Sequence, residues 1–427
     1  MNNFNLRKNV KFSVVSFFIN IALIFISYRL IIEVGGLELV GLWATMMAWI
    51  SLVRLGDVGM SNATLRFVAL ENIENSDGRL AIGKIIDTAL LLNSIFFILL
   101  CVLAYFLINL FMIDTIEETY RGLADKLLPL MLGIFFSINI SSVLFGCIQG
   151  MHYGYVSSKI SVMTTSIQLI LVIILVPKYE LHGFAIAQIF QYLSAIIISW
   201  IFINKKLHRK IQIPIYFDFE SLKKMLRFSA KAQAANIING SFEPLSKILI
   251  NKFSGLEIQG IYELAYKTVS MSRNAITAGV MASLPTITTL LGKDPGEGKI
   301  LYKKIKMKLR LAAFSLILLL IISSPLISYL WIGSFNSLYC TFIIIIGCGF
   351  FFNTIGAPAY NLGTASAKMK YNIIINLLVI TLLILLTLAL NLMTSTYSVV
   401  TSVGISLAFG GILIRYMNEK YIIGNIS

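Results

Sequence analysis

The polar positions of this chain are gathered into gaps between long apolar runs. Twelve runs are long enough to cross a membrane: Phe12–Ile32, Val40–Met60, Ile85–Leu110, Leu127–Gly146, Ser161–Val176, Gly183–Ile203, Phe228–Phe253, Ile261–Leu291, Leu311–Leu330, Leu338–Tyr360, Tyr371–Leu390 and Thr396–Met417. About 20 apolar residues cross a ~30 Å hydrocarbon core as a helix. The pattern therefore predicts an all-α membrane protein. A mean hydropathy of +0.84 and a charged fraction of 13 % exclude an ordinary soluble domain, in which charges are about twice as dense.

The longest basic gap, residues 204–227, separates six runs from six. It predicts an N-terminal six-helix bundle over 1–203, a cytoplasmic amphipathic linker over 204–227 and a C-terminal six-helix bundle over 228–427. A weak internal repeat supports two halves. Shifting the chain by 219 residues lays Gly41-Leu42-Trp43 on Gly260-Ile261-Tyr262 and Arg54 on Arg273. Span two then corresponds to span eight, with a cation at the same depth, and the halves are parallel repeats.

Lysine and arginine orient the spans. With the N-terminus inside, the inner segments hold 25 of the 35 Lys and Arg, and the outer loops hold four. This bias places both termini in the cytoplasm. It also accounts for most of the net charge of +15 through topology and anionic lipid, so nucleic acid is not implied as a partner. The first apolar run is of full span length with no small-residue cleavage site after it, which predicts a retained helix. Cys101, Cys147, Cys340 and Cys348 lie in apolar runs without metal-ligand spacing and read as small buried residues.

One stretch breaks the apolar rule. Between Phe228 and Leu291, one span carries Lys231, Glu243 and Lys247, and the next carries Glu263, Lys267 and Arg273. A charge at mid-membrane costs about 2.5–3.5 kcal/mol even on insertion scales, so such groups face a bundle interior or a watery cavity. Glu243–Lys247 and Glu263–Lys267 are i,i+4 pairs with the acid first, the better order for pairing along a helix. Counted inward from the shared hairpin Ser254–Gly260, both pairs fall roughly 7–15 Å below one membrane face, so they can meet. Two readings follow: the pairs join the helices by mutual neutralisation, or they line a net cationic cavity. Lys231 and Arg273 have no acid on their own helices at pairing distance, which favours the cavity.

The other cations within spans are Arg29 and Arg54. Arg29 is placed to snorkel to the outer interface or to face a cavity. Arg54 lies three residues from Asp57, within reach of a local ion pair. The six cations together outnumber the acids within spans, chiefly Asp57, Glu243 and Glu263, and surplus positive charge suggests an anionic substrate. The loop holding Gly296-Glu297-Gly298-Lys299 lacks the glycine and the Ser/Thr of a phosphate loop, so no nucleotide-hydrolysing module is expected.

Several short motifs occur in a family-like order. They are the Gly41-Leu42-Trp43 entry, the Leu55-Gly56-Asp57-Val58-Gly59 exit, Ala63-Thr64-Leu65-Arg66-Phe67-Val68-Ala69, Gly146-Cys147-Ile148-Gln149-Gly150, Leu181-His182-Gly183, Leu222-Lys223-Lys224-Met225-Leu226-Arg227 and Leu330-Trp331-Ile332-Gly333. With twelve spans, this order resembles the Wzx-type polysaccharide repeat-unit flippases of the multidrug/oligosaccharidyl-lipid/polysaccharide exporter superfamily. The resemblance implies a MATE-like fold of two six-helix bundles around a central cavity. It also implies export of undecaprenyl-diphosphate-linked O-antigen or capsule repeat units from the inner to the outer leaflet of a bacterial inner membrane, with other polysaccharide-assembly proteins as partners.

A diphosphate needs about two compensating cations, and an arginine fork meets phosphate oxygens well. Arg54, Lys267 and Arg273 are the leading candidates, followed by Lys231, Lys247 and Arg29. Asp57, Glu243 and Glu263 are candidates for coupling to a proton or sodium gradient, and no cofactor is expected. The first alternative is a cation-coupled multidrug exporter of the same superfamily, which would favour an acidic cavity. The second is a membrane glycan polymerase, an enzyme that would carry catalytic Arg or His in a large outer loop. The longest outer loop here, about Phe111–Lys126, is too small for that.

Overall fold

The computed structural model describes residues 3–54, 59–112, 115–210, 214, 216–365, 370–392 and 395–423. Its helices are α1 (Asn3–Val53), α2 (Met60–Ala69), α3 (Ser76–Met112), α4 (Glu118–Gly150), α5 (Gly154–Lys206), α6 (Phe219–Lys293), α7 (Pro295–Ile332), α8 (Ser337–Ala365), α9 (Lys370–Asn391) and α10 (Ser395–Asn418). Three of them are broken inside, at Gly35–Gly36 in α1, at Glu180 in α5 and at Gly255 in α6. Counting each broken helix as two and setting aside the short α2 gives twelve long helical runs among the described residues, at the twelve predicted places. The chain is a multi-pass helical membrane protein.

The N-terminal side of span eight illustrates how sequence sets these breaks. Gly36 (φ 77, ψ −173) and Gly255 (φ 82, ψ 175) share one conformation, which only glycine adopts without strain. They are 219 residues apart, the offset of the internal repeat. The backbone reversal is thus repeated along with the sequence.

Contacts divide the chain into two compact units. The first comprises Met1–Gly36 and Trp49–Ala234. Its core includes Met60, Ala63, Ile86, Leu144, Cys147 and Leu207. The short α2 lies against α4, with Met60, Ala63, Thr64 and Val68 buried and the Ser61 hydroxyl donating to the Ser142 carbonyl at 2.7 Å. The second run ends earlier than the predicted Met60: α1 stops at Val53, and Gly59 enters α2 in a left-handed conformation.

The basic linker also departs from a simple surface segment. Arg209 reaches α3 and donates both guanidinium NH groups to the Asp87 carboxylate at 2.8 Å each. Its Nε donates to Asn204 at 2.6 Å, and the plane stacks over Trp200. The Asp218 amide donates to Thr88 at 3.0 Å, and Met225 is buried. Paired at both ends of its fork, a half-buried guanidinium is stable; stripped of its carboxylate it is a costly buried charge. Asp87→Ala is therefore expected to lower unfolding free energy by about 3 kcal/mol, with Asp87→Ala/Arg209→Met recovering part of the loss. Denaturant unfolding in detergent micelles measures both, and an unchanged midpoint in Asp87→Ala would refute the anchoring role.

The second unit comprises Leu37–Ala48 and Ala235–Ser427. The segment after the Gly36 break packs against the segment after the Gly255 break. A Cβ on Gly41 would overlap the Leu256 carbonyl oxygen and lie 3.1 Å from the Gly260 amide; a Cβ on Gly260 would overlap the Leu37 carbonyl oxygen and lie 3.3 Å from the Gly41 amide. Each contact is the other shifted by 219 residues. The two repeats therefore cross at their own equivalent glycines, with backbones touching as small residues permit in membranes. Elsewhere in this unit α8 and α10 cross as closely, a Cβ on Gly356 lying 2.6 Å from the Gly411 carbonyl oxygen.

Candidate functional site

The two halves of α6 double back at Gly255 and bring the interrupted charges together. Lys247 donates to Glu243 at 2.7 Å and pairs with Glu263 at 2.8 Å, while Lys267 pairs with the other Glu263 oxygen at 3.4 Å. The Ser246 and Tyr262 hydroxyls share a 3.0 Å hydrogen bond between the same two helices. Lys247 and Glu263 are buried, at 6 % and 1 % exposure, whereas Lys267 and Glu243 are more open. Two acids and two bases balance, so this tetrad carries no net charge. In low dielectric it joins the helices and fixes their register. Lys247, a candidate anion ligand by sequence, is instead the centre of this network, enclosed by two carboxylates and with no approach for a third anion.

Arg273 lies one and a half turns beyond Lys267 on the same helix and outside the tetrad. Its guanidinium is held 5.6 Å from the Phe350 ring centroid, and it touches Asn274 through a long 3.5 Å bond. Its Nε is buried without a hydrogen-bond partner among the described residues. The side chain lines a cavity of about 250 Å³, far above the ~10–15 Å³ that one water requires. Thr277, Asn353, Tyr360, Asn361 and Asn376 line the same cavity, and no Asp or Glu appears among its described lining residues. The close α8–α10 crossing at Gly356 and Gly411 forms another part of the wall. An arginine with an unused donor, surrounded by neutral amides and hydroxyls, suits an anionic group carrying hydroxyls.

The other sequence candidates are scattered. Arg29 pairs with Glu33 at 2.8 Å, one turn away, a partner that neither the snorkelling nor the cavity expectation named. Arg54 is exposed just past the end of α1 and belongs to the first unit. Asp57 and the side chain of Lys231 lie outside the described residues. Asn353 and Asn376 interrupt the apolar runs of spans ten and eleven. Their convergence with Asn361 and Tyr360 on Arg273 depends on three helices meeting, which no local spacing reveals. Asparagines inside membrane-length apolar runs were the available signal.

This architecture defines a class: a polytopic α-helical membrane protein with a MATE-like fold. An inward-facing multidrug resistance MATE family transporter of the MOP superfamily matches with a TM-score of 0.81 over 94 % of each chain, at 12 % identity. The lipid II flippase MurJ, in an inward closed conformation, matches with a TM-score of 0.72 over 98 % of this chain and 89 % of its own, at 16 % identity. In sequence, a Shigella flexneri protein named "Putative O-antigen transporter" is 21 % identical over 346 residues, 80 % of either chain. The family model for polysaccharide biosynthesis proteins matches residues 6–291. The chain belongs to that family.

Proposed function

We propose that this transporter moves an undecaprenyl-diphosphate-linked oligosaccharide, an O-antigen or capsule repeat unit, from the cytoplasmic to the outer leaflet of a bacterial inner membrane by alternating access. The observation that carries the reading is the Arg273 cavity, cationic and free of carboxylates among its described lining residues. A cavity built for cationic drugs would carry the opposite charge. The ends of α8, α9 and α10 that border it run into Lys370 and Arg415, on the basic side of the unit. With the positive side inward, both termini are cytoplasmic and the cavity lies where a substrate made in the cytoplasm enters. The family and the similarity to an O-antigen transporter and a lipid II flippase support a lipid-linked glycan.

In this reading Arg273 contacts the diphosphate and the asparagines meet sugar hydroxyls, whereas Lys267 is paired with Glu263 and is not among the cavity's described lining residues. Glu243 and Glu263, with Asp57, are the groups available to couple a proton or sodium gradient. Other polysaccharide-assembly proteins would deliver and receive the substrate. In a host whose surface glycan depends on this chain, Arg273→Ala is expected to lower glycan about 10- to 100-fold, the effect of one or two charge-assisted bonds. Arg273→Lys keeps the charge without the fork and should fall between. Immunoblots of glycan and of membrane-inserted protein read both; full glycan with normal protein in Arg273→Ala would overturn the proposal.

A further inference from the structure

A second cavity lies on the opposite face of α8. Phe351, Phe352 and Ile355 line it, whereas Asn353, Gly356 and Tyr360 line the Arg273 cavity, and Gly411 of α10 borders both. Its volume is about 490 Å³, and Arg310, Arg415 and Tyr416 complete it. Two properties distinguish it from packing space. The first is charge. Glu419 accepts from Lys306 at 2.7 Å and from the Tyr302 hydroxyl at 3.0 Å, and Arg415 approaches it at 3.4 Å. The lining thus holds two arginines and one carboxylate already engaged by Lys306 and Arg415, and Arg310 is exposed and makes no ion pair among the described residues.

The second is position. Arg310 is the last charge of α7, followed by uncharged sequence to Ile332, and Arg415 is the first charge after the uncharged part of α10. Both arginines thus stand at the boundary between polar and apolar sequence, on the same cavity. Beyond that boundary the surface is open and apolar: Phe352, Ile412, Leu311 and Phe314 are all exposed. A basic rim above an outward-facing apolar trough fits an amphiphile with an anionic head and hydrocarbon chains.

We propose that this groove between α7, α8 and α10 binds an anionic phospholipid of the leaflet on its basic side. Its phosphate meets Arg310 and Arg415, and an acyl chain lies along Phe352, Ile355 and Ile412. Bilayer lipid is the occupant because the trough faces outward and lies on the far face of α8 from the Arg273 cavity. Basic pockets between helices on the cytoplasmic side recognise phosphate head groups by charge, and two arginine forks suit phosphate oxygens. The proposal stands independently of which substrate the transporter carries.

The test uses the full-length protein, delipidated in detergent and titrated with dioleoyl phosphatidylglycerol or dioleoyl phosphatidylcholine, with bound lipid counted by native mass spectrometry. One phosphatidylglycerol is expected to bind in preference to phosphatidylcholine, and Arg310→Gln should weaken it about 10-fold while leaving phosphatidylcholine unchanged. Arg415→Gln, at the other guanidinium of the groove, should weaken phosphatidylglycerol binding likewise and stands in should Arg310→Gln fail to fold. Equal binding of the two lipids, or undiminished phosphatidylglycerol binding in Arg310→Gln, would overturn the site. A short-chain isoprenyl diphosphate that displaces phosphatidylglycerol from wild type but not from Arg310→Gln would overturn the assignment to phospholipid.

Discussion

Adding one methyl group at Gly41 or at Gly260 is expected to destabilise the protein more than almost any other single-carbon change. A Cβ at either position would overlap a carbonyl oxygen of the partner helix, and backbone, unlike a flexible side chain, cannot rotate away. Overpacking of a close-packed contact costs roughly 1–3 kcal/mol and more where backbones must separate. Gly41→Ala and Gly260→Ala should each reach the upper part of that range. Both relieve the same crossing by forcing the helices apart, so the double variant should cost clearly less than the sum. Gly122 provides the control, because nothing lies within 4 Å of a Cβ added there. In a helix interior Gly122→Ala should be neutral or stabilising by up to about 1 kcal/mol. Thermal unfolding in micelles with a size-exclusion readout ranks the four variants. Additive losses at Gly41 and Gly260 would show that they do not share one crossing.

Lys247→Met is expected to have an effect of similar size for an electrostatic reason. Lys247 neutralises Glu263, which is buried, and Glu243, which is more open. Removing the ammonium leaves Glu263 only its 3.4 Å contact with Lys267 from the tetrad's bases. Breaking one partner of a buried ion pair typically costs about 3–5 kcal/mol. Lys247→Met/Glu263→Gln removes both buried charges and should recover a good part of the loss, because an apolar replacement of a buried pair is often near neutral. A double-mutant cycle by denaturant unfolding gives the coupling. If Lys247→Met unfolds like the parent, the tetrad does not hold the two halves of α6 together.

The tetrad also shows why part of this site is legible without coordinates. Lys247 and Glu263 each lie eight residues from Gly255, and Glu243 and Lys267 each lie twelve, so helix rise alone places the members of each pair at one depth. The repeat is legible for a similar reason: Gly36 and Gly255, Gly41 and Gly260 keep one offset in sequence and in conformation. Local geometry carries both inferences. The Asp87–Arg209 anchor joins residues 122 positions apart, and neither carries a local pattern that names its partner. The asparagine wall around Arg273 is assembled by α8 and α9, with Gly411 and Ile414 of α10 beside it, and the packing of these helices is set by small-residue crossings invisible to hydropathy. Arg29 shows the reverse error of scale: its unpaired look within a span is resolved by Glu33, just beyond that span.

The Arg273 guanidinium presents an unpartnered Nε donor beside a cavity with no carboxylate among its described lining residues. The direct measurement is the affinity of the purified full-length protein for a short-chain isoprenyl diphosphate, by calorimetry, in wild type and Arg273→Ala. Saturable binding in wild type that weakens about 10- to 100-fold in a well-folded Arg273→Ala protein is the predicted result. Equal affinity in the two proteins would contradict it.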